Sequence, residues 1–508
     1  MGKWTRRAFI AAGVAASGVV VFGVAIRRGE RGDKVRRLVA ADDETLFDIW
    51  LKISPDNTIT AIVPHAEMGQ GIHTTLAMML ADELDADWAR LEIVEAPGHP
   101  EYANYALARG YVASDIDFPA WLVDSVDGLF LQATKSIGLQ ITGGSTSVRT
   151  TGQIAMRATG AATRAALVGA AADEWQVNAD ELTTKDSHVL HAASGRSATF
   201  ASLAPAAAKR PLPDKPTLKR TEDFRLMGES LPRNDIPAKV DGTAMFGIDA
   251  SLPGMKYAAV RAAPVFGGQV SRVAAASVQD MPGVRKVVSL DDAVAVIADG
   301  YWQAKQALDA RDVEFTDGGN GNVEQGTIFA QFTADLDRSA AAGDEEIDLS
   351  SGDAPAALTG AEQVIEAEYR VPFLAHSPME PMNCTAWIHD GQCELWTGTQ
   401  NPLGFAKEVA DVLDMDIEDV ILHNQYLGGG FGRRAFPDYT IQAARIARDV
   451  PYPVKLVWSR EEDTRHDHYR QASVSRFRGG LDGNGNPVAW HNHYVNKHDP
   501  EEAPHIPF

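Results

Sequence analysis

Four glycines surround one phenylalanine in Tyr426-Leu427-Gly428-Gly429-Gly430-Phe431-Gly432-Arg433-Arg434. The run lies between a β-branched apolar stretch, Glu418 to His423, and a helically spaced one, Pro437 to Ala447. Such a loop lets backbone N–H groups approach a bulky ligand where any Cβ would clash. Taken alone it reads equally well as a tight turn. The dinucleotide pattern G-x-G-x-x-G is not met, because Ala435 stands where its last glycine would be. Three other segments give the loop company. Thr399-Gln400-Asn401-Pro402 and Met68-Gly69-Gln70-Gly71-Ile72-His73-Thr74 lie at further strand-to-helix junctions. Ser145-Thr146-Ser147, after Gly143-Gly144, sets three hydroxyls before a small-residue helix read from about Gly152 to Trp175; their plain reading is an N-cap region.

The elements that must position these loops follow from the hydrophobic pattern. From Leu46 to Pro97 it reads strand, turn at Pro55-Asp56-Asn57, strand, loop, helix, then strand at Leu91 to Ala96. Ile72, Leu76, Met79, Leu80 and Leu84 have the spacing of one buried helix face, and Met78 and Met79 read as core. Gln70 and Gly71 therefore fall at a helix N-terminus, where N–H groups and the dipole favour an anion. Pro, Lys and Arg between Pro205 and Pro237 predict an extended linker. Short strands ending in a helix over Tyr301 to Leu308 come next, then a Gly-, Ala- and acid-rich surface connection, Asp317 to Pro355, with some helix. Strands return from Gln363 onward.

At 508 residues the chain is too long for a single core. Residues 1–37 carry nine Lys/Arg against two acids, leaving 38 against 67, a net −29, for the rest. So acidic a body repels phosphate backbones and argues against nucleic acid as a partner; an anionic cofactor would need backbone donors and local cations. Cys384 and Cys393, the two cysteines, flank a turn and read as small buried residues on a sheet. They are too few for an iron–sulfur cluster of the usual kind. Asp482-Gly483-Asn484-Gly485-Asn486 opens like a calcium loop, but Pro487 and the missing Glu make it a hairpin turn. His466/His468 and His491/His493 have the spacing of one strand face and read as solvated surface pairs. Thr5-Arg6-Arg7-Ala8-Phe9-Ile10, before an uncharged stretch from Ala8 to Ile26, resembles a twin-arginine export signal; the stretch is also long enough to be a membrane-spanning anchor.

The motifs GGGFGRR, TGTQNP, EMGQGIHT and the hydroxyl run resemble those of the molybdenum-binding large subunits of the xanthine oxidase and aldehyde oxidoreductase family, from about Asp42 to the last residue. Here the GQG and Ser/Thr segments precede GGGFG, an order similar to the permuted isoquinoline 1-oxidoreductase β-subunit branch. The resemblance implies an α+β, multidomain molybdenum-cofactor-binding fold with an inserted small α/β hammerhead domain. In that scheme residues 1–37 are the signal or anchor, 42–203 the permuted part of the cofactor region and 204–237 a linker. Residues 238–316 are the hammerhead, 317–361 an acidic connection and 362–508 the cofactor-binding domain.

By the same resemblance, molybdenum is held through a molybdopterin cofactor, in bacterial relatives the cytosine dinucleotide form, so no protein metal ligand is expected. Gln400 corresponds to the glutamine that hydrogen-bonds an oxygen on molybdenum, with Thr399 beside it. Gly429, Gly430, Phe431 and Gly432 would line the metal pocket, and Gly69, Gln70 and Gly71 would hold the pterin side. Ser145, Thr146 and Ser147 would reach the phosphate tail. The implied activity is hydroxylation of aldehydes or electron-poor N-heterocycles with water-derived oxygen. Implied partners are a small [2Fe–2S] subunit and a cytochrome or quinone-linked acceptor, in the periplasm or at its membrane.

The sequence departs from the family in two ways, the first of them similar to the isoquinoline branch. Arg433-Arg434-Ala435 replaces the Gly-Lys-Glu of many relatives, and the G-x-G-E segment that carries the family's carboxylate base does not occur. The chain is therefore read as split or truncated, with the catalytic glutamate elsewhere. A non-catalytic cofactor-binding or assembly subunit and an unrelated exported carbohydrate- or peptide-binding protein are the other readings.

Overall fold

The structure, a computed structural model, describes residues 28–496 apart from 114–115, 117, 120–121, 214, 274–279 and 344–346. The twin-arginine run and the apolar stretch behind it lie outside the described residues. Among the described residues no helix is long and apolar enough to cross a membrane. The chain packs as two units, residues 28–255 with Met382–Lys455 and Lys256–Pro381 with 456–496; both mix helix and strand, as the α+β reading expects.

In the first unit β1 (Thr45–Phe47), β2 (Leu51–Ile53), β3 (Ile59–Val63) and β4 (Leu91–Glu95) form one sheet in that order. The first two pairings are antiparallel and β3 pairs parallel with β4. A parallel pair needs a crossover, and α1 (Ile72–Leu84) supplies it. A second helical run, α2, consists of Gly144–Ser147, a π segment Val148–Arg157 and Ala158–Trp175. It begins at Gly144 and not near Gly152, so the three hydroxyls lie in its first turn and not ahead of it. Its small residues have a steric purpose. A Cβ on Gly160 would stand 2.5 Å from the Leu80 carbonyl oxygen, so the two helices meet backbone to backbone.

That close packing corrects the reading of α1 as a helix with one buried face. Thr74, Ala77, Ala81, Asp82 and Glu83 are buried as well. Buried carboxylates need partners. Glu83 meets Arg157 at 2.6 Å, and Lys219 Nζ stands 3.0 Å from Asp82 and 2.7 Å from Asp85. Asp82 also accepts from the Leu226 and Met227 amides at 2.9 and 2.8 Å. The extended linker therefore lies against α1, fixed by charge and by its own backbone.

A hairpin, Asn383–His389 with Gln392–Thr397, completes the first unit's framework, with Val420–Asn424 parallel to its second strand. Ile388, not Cys384, stands opposite Cys393; both cysteines are buried free thiols, as their reading expected. In the second unit Val284–Ser289, Ala293–Ala298 and Lys256–Ala262 pair antiparallel in that order, and Ala304, Ala307 and Leu308 of the helix Tyr301–Asp309 pack on them. Gln363–Val371, Ser473–Leu481 and Pro487–Val495 form another antiparallel sheet. Helix Gln325–Ala342 lays Phe332 and Leu336 against Val474 of that sheet. The Asp482 carboxylate accepts from the Asn484 and Asn486 amides, which makes the hairpin turn. The surface reading of His466 and His468 is not met. His466 caps a short helix, half-buried, 3.0 Å from Glu462, and His468 is half-buried too.

Burial works against ionisation of Asp82, but the Met227 and Leu226 amides and the Lys219 ammonium outweigh it and hold its carboxyl below the usual carboxylate range. A lowered folded value stabilises at pH above the unfolded carboxylate value of about 4, and the contribution is lost as pH falls through the folded one. Lys219→Met should cost about 3 kcal/mol at neutral pH, because a buried pair loses one member. Urea unfolding at pH 7 and pH 3 checks this, with the difference between wild type and variant shrinking at the lower pH.

Candidate functional site

The three glycine- and glutamine-bearing loops come together in the first unit. The Thr142 N–H donates to the Gln400 carbonyl at 2.8 Å, and Gln400 N–H donates to the Arg434 carbonyl at 2.8 Å. The Gln400 side chain repeats the link, donating through Nε2 to the Thr142 carbonyl at 3.2 Å and accepting from the Gly432 N–H at 3.0 Å. Ala66 N–H donates to Thr142 Oγ1 at 2.9 Å and Leu427 N–H to the Glu67 carbonyl at 3.3 Å, which closes the ring. Four segments distant in sequence thus satisfy one another's buried polar groups.

Gly430 lies at the centre. A Cβ there would stand 2.4 Å from Met68 Sδ and 2.7 Å from Gln400 Oε1. The loop turns through positive φ at Gly429 (101°) and Gly432 (104°), and Phe431 between them is left-handed at 55° with 70% of its surface exposed. A non-glycine residue in that region is strained, and strain of this kind gathers at binding sites.

Arg433 and Arg434, where many relatives have Gly-Lys-Glu, are fully buried and build the loop from behind. Arg433 forks onto Asp438 at 2.9 and 2.8 Å. Arg434 donates to the Gly429 carbonyl at 3.0 Å and the Gly398 carbonyl at 3.2 Å. The Tyr439 hydroxyl reaches the same Gly398 oxygen at 2.9 Å, and burial pushes its pKa up to about 12. Thr399 is buried, donating through Oγ1 to the Arg434 carbonyl at 3.0 Å.

At the GQG loop the expectation of N–H groups facing a ligand is corrected. Glu67, fully buried, accepts from the Gly69, Gly71 and His73 amides at 2.9, 3.1 and 3.3 Å. The anion that the N-terminus of α1 favours is thus the chain's own. The Gln70 side chain folds back, accepting from Met68 N–H and donating to the Ala66 carbonyl. Farther in, His73 Nε2 lies 2.8 Å from the His65 carbonyl and 3.5 Å from Glu95. Burial opposes protonation of His73, but Glu95 and Glu67 outweigh it and raise the imidazole above its ordinary value. His65 is pushed down to about 3, by burial first and the neighbouring His73 second.

Of the helix-start hydroxyls, Ser145 is exposed and Thr146 half-buried, whereas Ser147 is buried and accepts from the Gly143 N–H at 3.0 Å. Among the described residues no group of three or more His, Cys, Asp or Glu is arranged to hold a metal ion. Glu67 and Thr142, which help to hold the loops together, were given no role from the sequence, and Arg434 was read only as a departure from the family's pattern. The EMGQG run does contain Glu67, and a Glu directly before a helix-opening glycine loop is the one signal that could have found it.

The loops thus form a ring of backbone and side-chain amides around a residue with no room for Cβ, rimmed by a strained aromatic. Residues 338–504 match the molybdopterin cofactor-binding domain family. The beta chain of the isoquinoline 1-oxidoreductase of Brevundimonas diminuta is 30% identical, covering 94% of this chain and 62% of that one. The membrane-bound aldehyde dehydrogenase (pyrroloquinoline-quinone) of Gluconacetobacter polyoxogenes is 32% identical, covering 94% and 58%. One of the subunits of the nicotinate dehydrogenase of Pseudomonas putida is 26% identical, covering 87% and 34%. Over most of its length the chain is thus similar to subunits of molybdenum-hydroxylase type, and residues 338–504 carry the molybdopterin cofactor-binding domain match. It spans 62% or less of the length of these curated relatives.

The ring predicts an asymmetry. Gly430→Ala should destabilise the chain by about 1–3 kcal/mol through overpacking, and adding Met68→Ala should recover part of that loss by removing the nearer obstacle. Thermal unfolding of the two single variants and the double variant tests the coupling; strict additivity would show that Gly430 does not pack as described.

Proposed function

We propose that this chain is the molybdopterin-binding subunit of an exported oxidoreductase that adds water-derived oxygen to aldehydes or electron-poor N-heterocycles. The observation that carries the reading is the hydrogen-bonded ring around Gly430 with Phe431 at its rim. The residues fit the cofactor. A pterin held by many weak donors calls for glycines, amides and hydroxyls, and these line the loops where the backbone must come close.

When bound, the cofactor supplies the redox centre that takes two electrons from the substrate carbon. The chain's part is to grip and to orient. Gln400 has committed one Nε2 N–H to Thr142 and keeps a second for a ligand oxygen. Gly429 to Gly432 and Phe431 would line the metal end, and the Gly69 to Gly71 loop would take the pterin side. Ser145 and Thr146, in the first turn of α2, suit a phosphate tail, while Ser147 holds Gly143 and supports them. The cytosine dinucleotide form belongs to the proposal. So do a small partner with two [2Fe–2S] centres, a cytochrome or quinone-linked acceptor and a periplasmic location. Two buried thiols give this chain no cluster ligands, which supports an external electron carrier, and the twin-arginine run supports export of a folded protein.

One observation favours a second reading, a cofactor-holding subunit whose base comes from another polypeptide. The carboxylates beside the loops are already engaged, Glu67 by three amides and Glu95 by Asn424 Nδ2 at 2.5 Å. Turnover of an aromatic aldehyde and an N-heterocycle, with the iron–sulfur partner and with or without a G-x-G-E segment, separates the two.

Protein from a host competent in molybdenum cofactor synthesis should carry about one molybdenum per chain and release a cytidine nucleotide on acid hydrolysis. A folded chain from that host free of molybdenum would reject the reading. Gln400→Ala should lower kcat by about tenfold or more in the reconstituted enzyme, since it removes a donor aimed at the ligand, and should also lower the melting temperature, since the same amide ties Gly432 to Thr142.

A further inference from the structure

The Pro-rich stretch up to Pro237 reads as a linker, yet from Lys219 onward it runs antiparallel along α1 and is tied to it at both ends. At one end Lys219 and the Arg225 to Met227 backbone hold Asp82 and Asp85. In the middle the Asn234 N–H donates to Thr74 Oγ1 at 3.1 Å. At the other end Arg233 donates through Nη1 to the Gly69 carbonyl at 2.6 Å and through Nη2 to Glu67 Oε1 at 3.2 Å. Its own guanidinium is oriented by Asp235, 2.9 Å from Nε, and Asp235 in turn receives Lys239 at 2.5 Å. Lys239 Nζ also lies 4.9 Å above the Tyr426 ring, at the entrance to the second glycine loop.

We infer that Arg233 is a positioning residue: it braces Glu67 and the Gly69 carbonyl at once, and so fixes the Gly69 to Gly71 loop in the form that receives the pterin. The geometry gives the reason. Glu67 must accept from three amides of one short loop, and its carboxylate has two oxygens that could swing about χ3. A guanidinium that grips Oε1 and the adjacent loop carbonyl in one fork removes that freedom, whereas a neutral chain would leave Glu67 to its amides and to the Lys239 ammonium 4.0 Å away, which does not reach the loop carbonyl in the same fork. Arg233 is also placed to cover Gly71, whose added Cβ would meet Nε at 3.6 Å. Its side chain keeps 31% of its surface exposed, so its loss leaves no large cavity and the effect falls on the loop more than on the core.

The inference rests on the cofactor reading for its purpose, but its test does not. Hydrogen exchange of the full chain should show the amides of residues 66–74 exchanging about tenfold faster in Arg233→Met, the loss expected of one charge-assisted bond, and partly restored in Arg233→Lys. The melting temperature should fall by only about 2 °C in Arg233→Met. Lys219→Met should show the reverse, a clear fall in melting temperature with the loop amides little changed. In protein from a cofactor-competent host, the fraction of pterin surviving gel filtration, read by fluorescence of the oxidised pterin, should fall in Arg233→Met and recover in Arg233→Lys. Unchanged exchange at 66–74, or exchange that rises only in step with global unfolding, overturns the role. Wild-type protein that binds no pterin would defeat the cofactor reading while the exchange data still decided the bracing.

Discussion

The side-chain amide of Gln400 is the joint on which the loops depend. It is only 4% exposed, so its acceptor and the N–H it turns inward must be met inside the protein. They are met by backbone of two different loops, the Gly432 N–H and the Thr142 carbonyl. No other side chain of this length offers an acceptor and a donor on one planar group. Glutamate would turn a second lone pair toward the Thr142 oxygen, and leucine would leave both groups unmet. Once that amide is fixed, Gly430 is forced against it and against Met68, and the chain can pass only because position 430 has no side chain. The strain at Phe431 is what remains after these constraints are satisfied.

Charge follows the same economy. The chain carries a net −22, yet around the loops acids and bases occur in matched sets, Glu67 and Asp235 with Arg233 and Lys239, and Asp438 with Arg433. Arg434 turns donors to the Gly429 and Gly398 carbonyls. An acidic protein can in this way present a local surface that does not repel an anionic ligand. Long-range repulsion between exposed charges is screened over about 10 Å, whereas the buried donors act at contact distance.

What could be read from the residues was what is local. Gly428 to Gly432, the GQG run and TGTQNP stand at strand-to-helix junctions because apolar period and glycine clustering mark such turns within a few residues. The strand before α1, the small-residue helix and the hairpin around Cys384 and Cys393 were legible for the same reason. Partners far along the chain were not. Glu67 meets Arg233 across 166 positions and Gln400 meets Thr142 across 258, and nothing in either neighbourhood announces the other. The apolar spacing of α1 was real but misleading, since Asp82 and Glu83 look like a solvent face until Lys219 and Arg157 are found over them. The start of α2 was misplaced because Ser, Thr and Gly are weak helix formers, and only the tertiary setting carries the helix back to Gly144. Packing likewise divides the chain after Met255, well past the Pro-rich stretch, because residues 233–249 stay with the loops they brace.

Phe431 carries the argument from structure to use. A large apolar side chain held at φ 55° and left mostly in water is unfavourable on both counts, and a glycine there would relieve both. The surroundings nonetheless over-determine the position: Gly432 is pinned by Gln400, Gly429 by Arg434, and Arg433 N–H by the Gly430 carbonyl at 2.8 Å. Folding alone gains nothing from that arrangement. The strain is carried by the contacts on either side, and a ligand gripped by the proposed site would give the exposed ring a face to cover.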